Sequence, residues 1–462
     1  MHKPLLLILS LIIFFIFSCK KDSFITSSDA SINFSTDTIY FDTVFVSTGS
    51  ITQSVKIINT NNQKLLLNDV KLMGGSNSVF KINIDGNSTA EADNIELEPN
   101  DSIYVFVSVL INPNNSSLAF ILQDSIQVSF NGNHRYIQLQ AYGQNAHFLN
   151  KKEISTNTTW PNDLPYVILG GLQIDSNASL TIQQGCKVYF RANAPLIVDG
   201  TLNVQGADTA RVYFLGDRLD YPYSTFPGSW PGIIFMASSK DNVMQFAVIE
   251  NAYEGVVAGN LSTDGNPKLA LSDCVISNIY DAGIIGAQTN IIAQNCLVSN
   301  CGRNIVLGYG GVYSFTNCTV ASYSNNYISH TSPVLNISNY DSSGALTADM
   351  NANFVNCIFW GNGDTLTNEV AVSKQGSNIF NVTFSSCLWK VANIPANASS
   401  SNMLDVDPMF DSVNNQSMYY DFHLKSGSPA IDAGIFTGIP FDLDGNPRAV
   451  GSATDLGCYE KQ

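Results

Sequence analysis

Asp273-Cys274-Val275-Ile276-Ser277-Asn278 is followed 22 residues later by Asn295-Cys296-Leu297-Val298-Ser299-Asn300, and after another 22 residues by Asn317-Cys318-Thr319-Val320. The pattern continues at looser spacing in Asn356-Cys357-Ile358-Phe359 and Ser386-Cys387-Leu388-Trp389. A fixed short period indicates one supersecondary unit stacked on copies of itself. A β-rich unit of this length fits one coil of a parallel β-helix, in which neighbouring strands lie about 4.8 Å apart.

The cysteines of this repeat are predicted to be small core residues. Gln245-Phe246-Ala247-Val248-Ile249-Glu250-Asn251 is an earlier copy with Ala247 in the cysteine position, and a position that accepts alanine beside apolar residues is expected to point inward. The eight cysteines after Cys19 could instead form four disulfides in an oxidising compartment. Stacked neighbours have parallel Cβ directions, which disfavour bridging. We therefore expect free buried thiols.

A second in-phase position follows the cysteine strands. Asn251, Asn278 and Asn300 each end a copy of the repeat. Asparagine side chains stacked along a solenoid can bond to one another and to the backbone. We expect these three residues to form a ladder at one corner.

Composition narrows both the fold and the partners. The 462 residues are 45% hydrophobic and include 33 glycines. The sequence shows no heptads and no long amphipathic helical stretch, which predicts an all-β protein of short strands and tight turns. The formal net charge of −16 is the opposite of a basic nucleic-acid footprint, so we expect no nucleic-acid partner.

The N-terminal segment has the pattern of an export signal. Met1-His2-Lys3 is basic, and Leu5 to Phe17 is apolar but too short to span a bilayer as a mature helix. With Cys19 directly after this run, residues 1–19 resemble a bacterial lipoprotein signal. The resemblance implies lipidation of Cys19, a polar tether over residues 20–29 and a cell-envelope location. We expect the outer membrane, and the sequence does not distinguish its periplasmic side from the cell surface. A plain secretory signal is the alternative.

Residues 30–148 are predicted to form an immunoglobulin-like β-sandwich, because about seven alternating strands are separated by turn-rich segments. The predicted strands are Ile39–Val46, Ser54–Asn59, Leu65–Leu72, Phe80–Ile84, Ser102–Leu110, Ser125–Phe130 and Tyr136–Ala141. The region also resembles the N-terminal module of bacterial envelope lipoproteins of unassigned function, through Phe41-Asp42-Thr43-Val44-Phe45 and Leu72-Met73-Gly74-Gly75. This resemblance implies an envelope location and no chemistry.

A linker is predicted over residues 149–165, and the repeats are predicted to begin at Tyr166. Residues 166–462 resemble the right-handed parallel β-helix (pectin-lyase-like) superfamily. From about residue 405 the chain resembles the choice-of-anchor-type closing segment of bacterial surface β-helix proteins, which differ in how they are anchored. The matching segments are Val406-Asp407-Pro408-Met409-Phe410, Gly427-Ser428-Pro429-Ala430-Ile431-Asp432-Ala433-Gly434 and Asp455-Leu456-Gly457-Cys458-Tyr459-Glu460.

An aromatic, proline-rich loop is the candidate ligand-binding site. It contains Tyr221, Tyr223, Phe226 and Trp230. Flat rings fit the apolar faces of sugars, so the loop could form a stacking platform for a glycan. The alternative, and the more favoured one, is a loop packed against the flank of the solenoid.

Oxygen ligands at alternating positions make Asp442, Asp444 and Asn446 a candidate calcium site, and Gly445 permits the sharp turn. The rest of an EF-hand loop is missing. The favoured alternative is structural. In it, these acids with Asp432, Asp455 and Arg448 form a polar clasp that seals the open last coil. No other cofactor is expected.

Catalytic candidates are few. Glu250 and Glu254 could face outward as the carboxylate pair of a glycoside hydrolase, and a lyase would need a cation or a Lys or Arg base. The sequence contains no HExxH metal motif, no GxSxG elbow and no P-loop.

We therefore expect a lipid-anchored envelope protein that presents a rigid β-helix and acts as a non-catalytic glycan-binding, protein-binding or structural surface protein. The partners expected are the membrane, through the lipid, and a polysaccharide or another envelope protein. The alternative is a carbohydrate-active enzyme, a polysaccharide lyase or glycoside hydrolase, working on a flank of the solenoid.

Overall fold

The computed structural model describes residues 23–46, 49–112, 120–362 and 366–462, which are nearly all β. Apart from strands, these ranges contain two 3-10 turns, Gly75–Asn77 and Tyr223–Thr225. They contain no helix that is long and apolar enough to cross a membrane. The chain divides into two compact units, the first ending at Asn145 and the second spanning Ala146–Gln462. Cys19 lies outside the described residues.

The first unit consists of two sheets. The four-stranded antiparallel sheet has the order Ile32–Phe34, Gln53–Asn59, Ser102–Val109, Phe80–Ile84. The five-stranded sheet has the order Thr38–Phe45, Asn133–Gln144, Phe120–Phe130, Leu65–Leu72, Glu91–Leu97. In the second sheet only the first pair is parallel. Phe41 of the five-stranded sheet packs against Phe80 of the four-stranded sheet, with ring centroids 6.2 Å apart.

Two strands of this unit were not predicted from the sequence, Ile32–Phe34 and Glu91–Leu97. The burial pattern of the second is mostly exposed, so its sequence carries little of the apolar alternation that marks a half-buried strand. Part of the predicted tether is not free of the first unit. The backbone N–H of Ile25 donates to the carbonyl of Lys64 at 2.8 Å, so this residue is bonded to that unit. The immunoglobulin-like assignment stays a prediction.

The second unit is a parallel β-helix built from two long sheets. Sheet A contains ten strands, His147–Leu149, Tyr166–Ile168, Lys187–Phe190, Val212–Gly216, Ala247–Glu250, Val275–Ser277, Leu297–Ser299, Thr319–Ser322, Ile358–Gly361 and Leu388–Trp389. Successive strands of sheet A pair in parallel.

Sheet B contains the seventeen strands that complete the coils. They are Lys152–Ile154, Thr158–Trp160, Leu172–Ile174, Ser179–Gln183, Leu196–Val198, Thr201–Gln205, Ile233–Phe235, Asn242–Gln245, Glu254–Gly259, Leu269–Ser272, Ala282–Gln294, Arg303–Thr316, Leu335–Ser338, Met350–Val355, Val370–Ser373, Phe380–Ser385 and Ser399–Ser401. An antiparallel hairpin, Phe410–Asn414 with Tyr419–Leu424, follows the last coil.

Pairing in the solenoid starts earlier than predicted. His147–Leu149, Lys152–Ile154 and Thr158–Trp160 already pair in parallel with strands of the next coil. This differs from the predicted linker over residues 149–165. The strands are only three residues long, and so short a strand shows almost no alternation in sequence.

The register of sheet A confirms the 22-residue period. Val275 pairs with Leu297 and Leu297 with Thr319, so the cysteine before each of these residues occupies the same place in each coil. All eight described cysteines are free and buried, as predicted. Ala247 is fully buried as well, which agrees with its place in the cysteine position.

Two ladders of asparagine flank the strands of sheet A. Asn278 Nδ2 donates to Asn251 Oδ1 at 2.7 Å, as predicted for the corner after the strands. Asn300, the third predicted member, instead accepts the backbone N–H of Tyr323 at 3.0 Å. A second ladder lies before the strands, where Asn356 Nδ2 donates to Asn317 Oδ1 at 2.9 Å. These residues have φ between 51° and 62°. Asparagine tolerates this left-handed backbone better than other residues with a side chain, because its short amide bonds locally.

The closing segment lies along the outer face of sheet A. This differs from the prediction that it covers the last coil. Leu443, Leu456 and Cys458 of this segment are buried in one apolar cluster with Leu297 and Ile358 of sheet A. The second asparagine ladder also holds the segment, since Asn295 Nδ2 donates to the carbonyl of Phe441 at 2.7 Å.

Candidate functional site

An open cavity of about 430 Å³ lies on the outer face of sheet A. Four parts of the chain form it: strands of sheet A with the corner residues after them, the loop before Trp230, the loop that contains Asn325, and the hairpin that begins the closing segment. Its lining residues are Ser224, Thr225, Glu250, Asn251, Val275, Ser277, Asn278, Leu297, Ser299, Asn300, Asn325, Met418, Tyr419, Tyr420 and Phe422. We refer to it as the flank cavity. Its volume falls within the usual range for small-ligand sites, about 300–1,000 Å³.

The floor of the flank cavity is a polar row across three strands. Glu250 pairs in register with Ser277, and Ser277 with Ser299. Residues in register on parallel strands point to the same face, so the repeat itself aligns the row. Ser277 Oγ donates to Glu250 Oε1 at 3.0 Å. Burial raises the pKa of the Glu250 carboxyl, and the Ser277 hydrogen bond opposes that rise.

The first asparagine ladder forms one wall and fixes the neighbouring loop. Asn251 Nδ2 donates to the carbonyl of Ser224 at 2.8 Å, and Asn278 Nδ2 donates to that of Thr225 at 2.8 Å. Both side-chain N–H groups of Asn278 and one of the two of Asn251 are thus engaged within the protein. The ladder ties the loop to the corner at two successive coils, which positions Ser224 and Thr225 at the rim.

The hairpin supplies the aromatic wall. Tyr419, Tyr420 and Phe422 line the cavity, with the rings of Tyr420 and Phe422 stacked at 6.2 Å. The next residue, His423, is clamped between two carboxylates. Its Nδ1 contacts Asp421, and its Nε2 lies 2.9 Å from Asp444 Oδ2. The carboxylates of Asp444 and Asp421 raise the pKa of His423 to about 9.

The predicted aromatic platform is divided by the fold. Trp230 is fully buried and stacks on Phe190 with ring centroids 4.4 Å apart. The prediction of Trp230 as a ligand-binding residue is therefore wrong, because no face of its ring is exposed. Tyr221 is 82% exposed and Tyr223 is 44% exposed, whereas Phe226 is half-buried between Tyr223 and Tyr327. None of these four residues lines the described flank cavity.

Glu250 and Glu254 lie on different sheets. Glu250 ends a strand of sheet A, and Glu254 begins one of sheet B. Glu254 is half-buried, and its pKa is raised by burial and by the nearby Asp281 carboxylate. Only Glu250 reaches the flank cavity, so the structure does not bring the two candidates together at this site.

The predicted calcium ligands are engaged by N–H donors. Asp442 Oδ1 accepts from the backbone N–H of Asp444 at 3.0 Å and of Asn446 at 2.8 Å, and its Oδ2 accepts from that of Glu460 at 3.0 Å. Asp444 contacts His423 and Arg211. Among the described residues, no group of three or more His, Cys, Asp and Glu is suited to hold a metal ion. Calcium binding stays a prediction that this geometry does not favour.

The predicted clasp has different partners. Arg448 is buried and contacts Glu460 and Asn295, with Nη2 donating to Asn295 Oδ1 at 2.7 Å. Asp432 and Asp455 accept backbone N–H groups instead. The clasp therefore holds the closing segment on the flank of sheet A.

Sequence reasoning did not identify most of the lining residues. The repeat pattern predicts Ser277 and Ser299 only as strand residues, and no sequence motif marks Tyr419, Tyr420 or Phe422. A usable signal was present for the serines, because they occupy the same repeat position as Glu250. No such signal exists for the hairpin, which follows Glu250 by more than 150 residues.

No protein-family model and no curated protein matches the chain. Among solved structures, it is similar to a family 123 glycoside hydrolase from Clostridium perfringens at 12% identity, with a TM-score of 0.18, over 24% of this chain and 26% of that one. It thus spans about a quarter of that chain's length.

Two further solved structures are similar over most of their length. One is a GH87 alpha-1,3-glucanase from Streptomyces thermodiastaticus, with 8% identity, a TM-score of 0.19 and coverage of 75% of this chain and 88% of that one. The other is a family 28 exopolygalacturonase from Yersinia enterocolitica, with 9% identity, a TM-score of 0.19 and coverage of 79% and 94%. At these scores the likenesses carry no argument about activity.

Proposed function

We propose that the protein is a lipid-anchored cell-envelope protein that binds glycans without cleaving them, and that the flank cavity is its binding site. The chain would be tethered through Cys19 to the outer membrane. An immunoglobulin-like first unit would serve as a spacer or docking unit. The parallel β-helix would provide a rigid support for the site.

The observation that carries this proposal is the lining of the flank cavity. Neutral polar groups from the ladder and from the serine row face aromatic rings from the hairpin. Glycan sites combine these elements, because rings cover the apolar faces of a sugar while amides and hydroxyls bond its hydroxyl groups. Glu250 is the only carboxylate among the described lining residues.

The rival function is a polysaccharide lyase or glycoside hydrolase. A hydrolase ordinarily uses two carboxylates about 5–9.5 Å apart on opposite sides of the bond to be cleaved. A lyase needs a cation or a basic group near an acidic sugar. The described lining of the flank cavity contains one carboxylate and no Lys, Arg or His, which favours binding over either reaction.

The test is to incubate the purified full-length protein, in detergent, with a panel of polysaccharides. Retention on each polysaccharide and the appearance of new chain ends are measured together. We expect retention without new ends. Tyr419→Ala should weaken retention by about tenfold, since one exposed stacking ring contributes about 1–2 kcal/mol. Tyr104→Ala, an exposed tyrosine of the first unit, is the matched control. Cleavage of any polysaccharide would overturn the non-catalytic proposal.

The lipid anchor is tested separately. Cys19→Ala should move the protein from the membrane fraction to the soluble envelope fraction, because the thiol of Cys19 is the proposed attachment point. Membrane retention of the Cys19→Ala protein would contradict lipidation while leaving glycan binding open to the assay above.

A further inference from the structure

We infer that the flank cavity selects a sugar unit that presents hydrogen-bond donors, hydroxyl or ammonium, to Glu250, and that it rejects acidic sugars. This inference rests on the proposed glycan-binding function and specifies its ligand class. It follows from the Glu250 carboxylate, which has no cationic side chain beside it in the described lining.

Two amides of the cavity wall are tied to the neighbouring loop and to each other. Asn251 Nδ2 donates to the Ser224 carbonyl, and Asn278 Nδ2 donates to Thr225 and to Asn251. A carboxylate on a ligand is held by N–H donors or cations, as in Arg–carboxylate pairs. Both side-chain N–H groups of Asn278 and one of the two of Asn251 are thus used within the protein. The remaining amide donors of the described lining, including those of Asn300 and Asn325, are neutral and supply no cation to offset a second negative charge.

Glu250 gives the floor open acceptor positions. Glu250 has one side-chain hydrogen bond in the described structure, from the Ser277 hydroxyl at 3.0 Å. An ionised carboxylate has about four lone-pair positions, so Glu250 can accept further donors. The hydroxyls of Ser277 and Ser299 can accept as well. A sugar hydroxyl or a protonated amino group would satisfy these acceptors.

No positive group balances Glu250. The described lining contains no Lys, Arg or His, and the described chain shows no ion pair to this carboxylate. Its pKa is raised because burial disfavours the charged form. A second negative charge in the same cavity would disfavour the ionised form of Glu250 further, on a chain whose net charge is already −16. An ammonium group would favour that ionised form and pair with it.

The charge preference is tested with a matched set of oligosaccharides. Neutral glucose, glucosamine and glucuronate oligomers of one length and one linkage differ in charge but keep the same backbone. One such set is prepared for each of several linkages. Binding of every oligomer to the full-length protein is measured by calorimetry at neutral pH. Glu250→Gln removes the charge and keeps the shape. Glu254→Gln, on sheet B, makes the same chemical change outside the cavity.

We expect the wild-type protein to bind the neutral or the glucosamine oligomers and to bind the glucuronate oligomers at least about tenfold more weakly, which is the effect of about 1.4 kcal/mol. Glu250→Gln should weaken glucosamine binding by about tenfold or more. It should also reduce the difference in affinity between the neutral and the glucuronate oligomers. Glu254→Gln should leave the ranking unchanged.

The outcomes separate the two proposals. Glycan binding with equal affinity for acidic and neutral oligomers, or an identical ranking for Glu250→Gln and wild type, would overturn this inference while glycan binding stands. Failure of every oligomer and polysaccharide to bind would overturn both. Cleavage of an oligomer would overturn the non-catalytic proposal alone, provided that the charge ranking is as expected.

Discussion

Asn278 Nδ2 lies 2.7 Å from Asn251 Oδ1, and both residues have a left-handed backbone, with φ of 54° and 62°. One side chain thereby joins two successive coils, and the same amide also donates to the Thr225 carbonyl at the rim of the flank cavity. The residue that turns the corner of the solenoid is therefore also the one that positions the loop beside the site.

Asn278→Ala should lower the free energy of unfolding by about 2–4 kcal/mol, because it removes two hydrogen bonds and places an alanine in a left-handed conformation. Asn278→Gly removes the same hydrogen bonds without the backbone strain, so its loss should be smaller by about 1 kcal/mol. Urea unfolding followed by tryptophan fluorescence measures both losses, since Trp230 lies in the solenoid core. Equal stability of the wild type and both variants would contradict the ladder's role.

The eight described cysteines should be unreactive in the native protein. All are buried, and burial raises the pKa of the Cys301 thiol to about 12 and that of Cys186 to about 11. Only the thiolate reacts readily with a disulfide reagent. In a Cys19→Ala protein we expect no reaction with Ellman's reagent before denaturation and eight thiols afterwards. Fewer than eight after denaturation without reductant would indicate disulfides.

His423 should make stability depend on pH. Its pKa is raised from 6.5 to about 9 by Asp444 first and by Asp421. A raised pKa means that the folded state binds the proton more tightly, so the stabilisation is fully present below pH 6.5 and is lost as the pH rises through 9. His423→Gln should abolish this loss. Melting temperatures of both proteins from about pH 6 to 10 test the prediction, with His134→Gln as a control, since His134 bonds to Ser129 in the first unit. Parallel profiles for wild type and His423→Gln would contradict it.

Arg448→Met should destabilise the closing segment by about 3–5 kcal/mol, because it leaves the buried carboxylate of Glu460 without its cation. The side chains of Arg448 and Glu460 are only 2% and 1% exposed. Arg218→Met is the matched control. Arg218 pairs with Asp220 at the surface with 43% exposure, and loss of that pair should cost no more than about 1 kcal/mol. Hydrogen exchange of residues 430–460 reports detachment of the segment. An equal effect of the two substitutions would show that Arg448 does not anchor it.

The repeating part of the fold was predictable because its information is local. Cys274, Cys296 and Cys318 recur in one phase, and the structure stacks them in register as the period predicted. The Asn251–Asn278 step of the asparagine ladder followed from the same phase, whereas Asn300 bonds to Tyr323 instead. The short strands at the start of the solenoid were missed, since three residues carry too little alternation to distinguish a strand from a loop.

The candidate site was predicted only in part. Glu250 was identified, but it was paired with Glu254, and four residues of separation gave no indication that a corner puts them on different sheets. Trp230 was grouped with its exposed neighbours because aromatic residues in one loop look alike in sequence. It is buried in the solenoid core, where it stacks on Phe190, a residue 40 positions earlier in the chain.

By itself, the sequence determined the solenoid, the inward phase of the cysteines and the asparagine corners, because each coil repeats the same local solution in contact with its neighbours. Only the tertiary structure decided that the closing segment folds back along sheet A and brings Tyr419, Tyr420 and Phe422 opposite Glu250. That contact joins residues far apart in the chain through buried apolar surface, which acts without direction and leaves no periodic mark in the sequence.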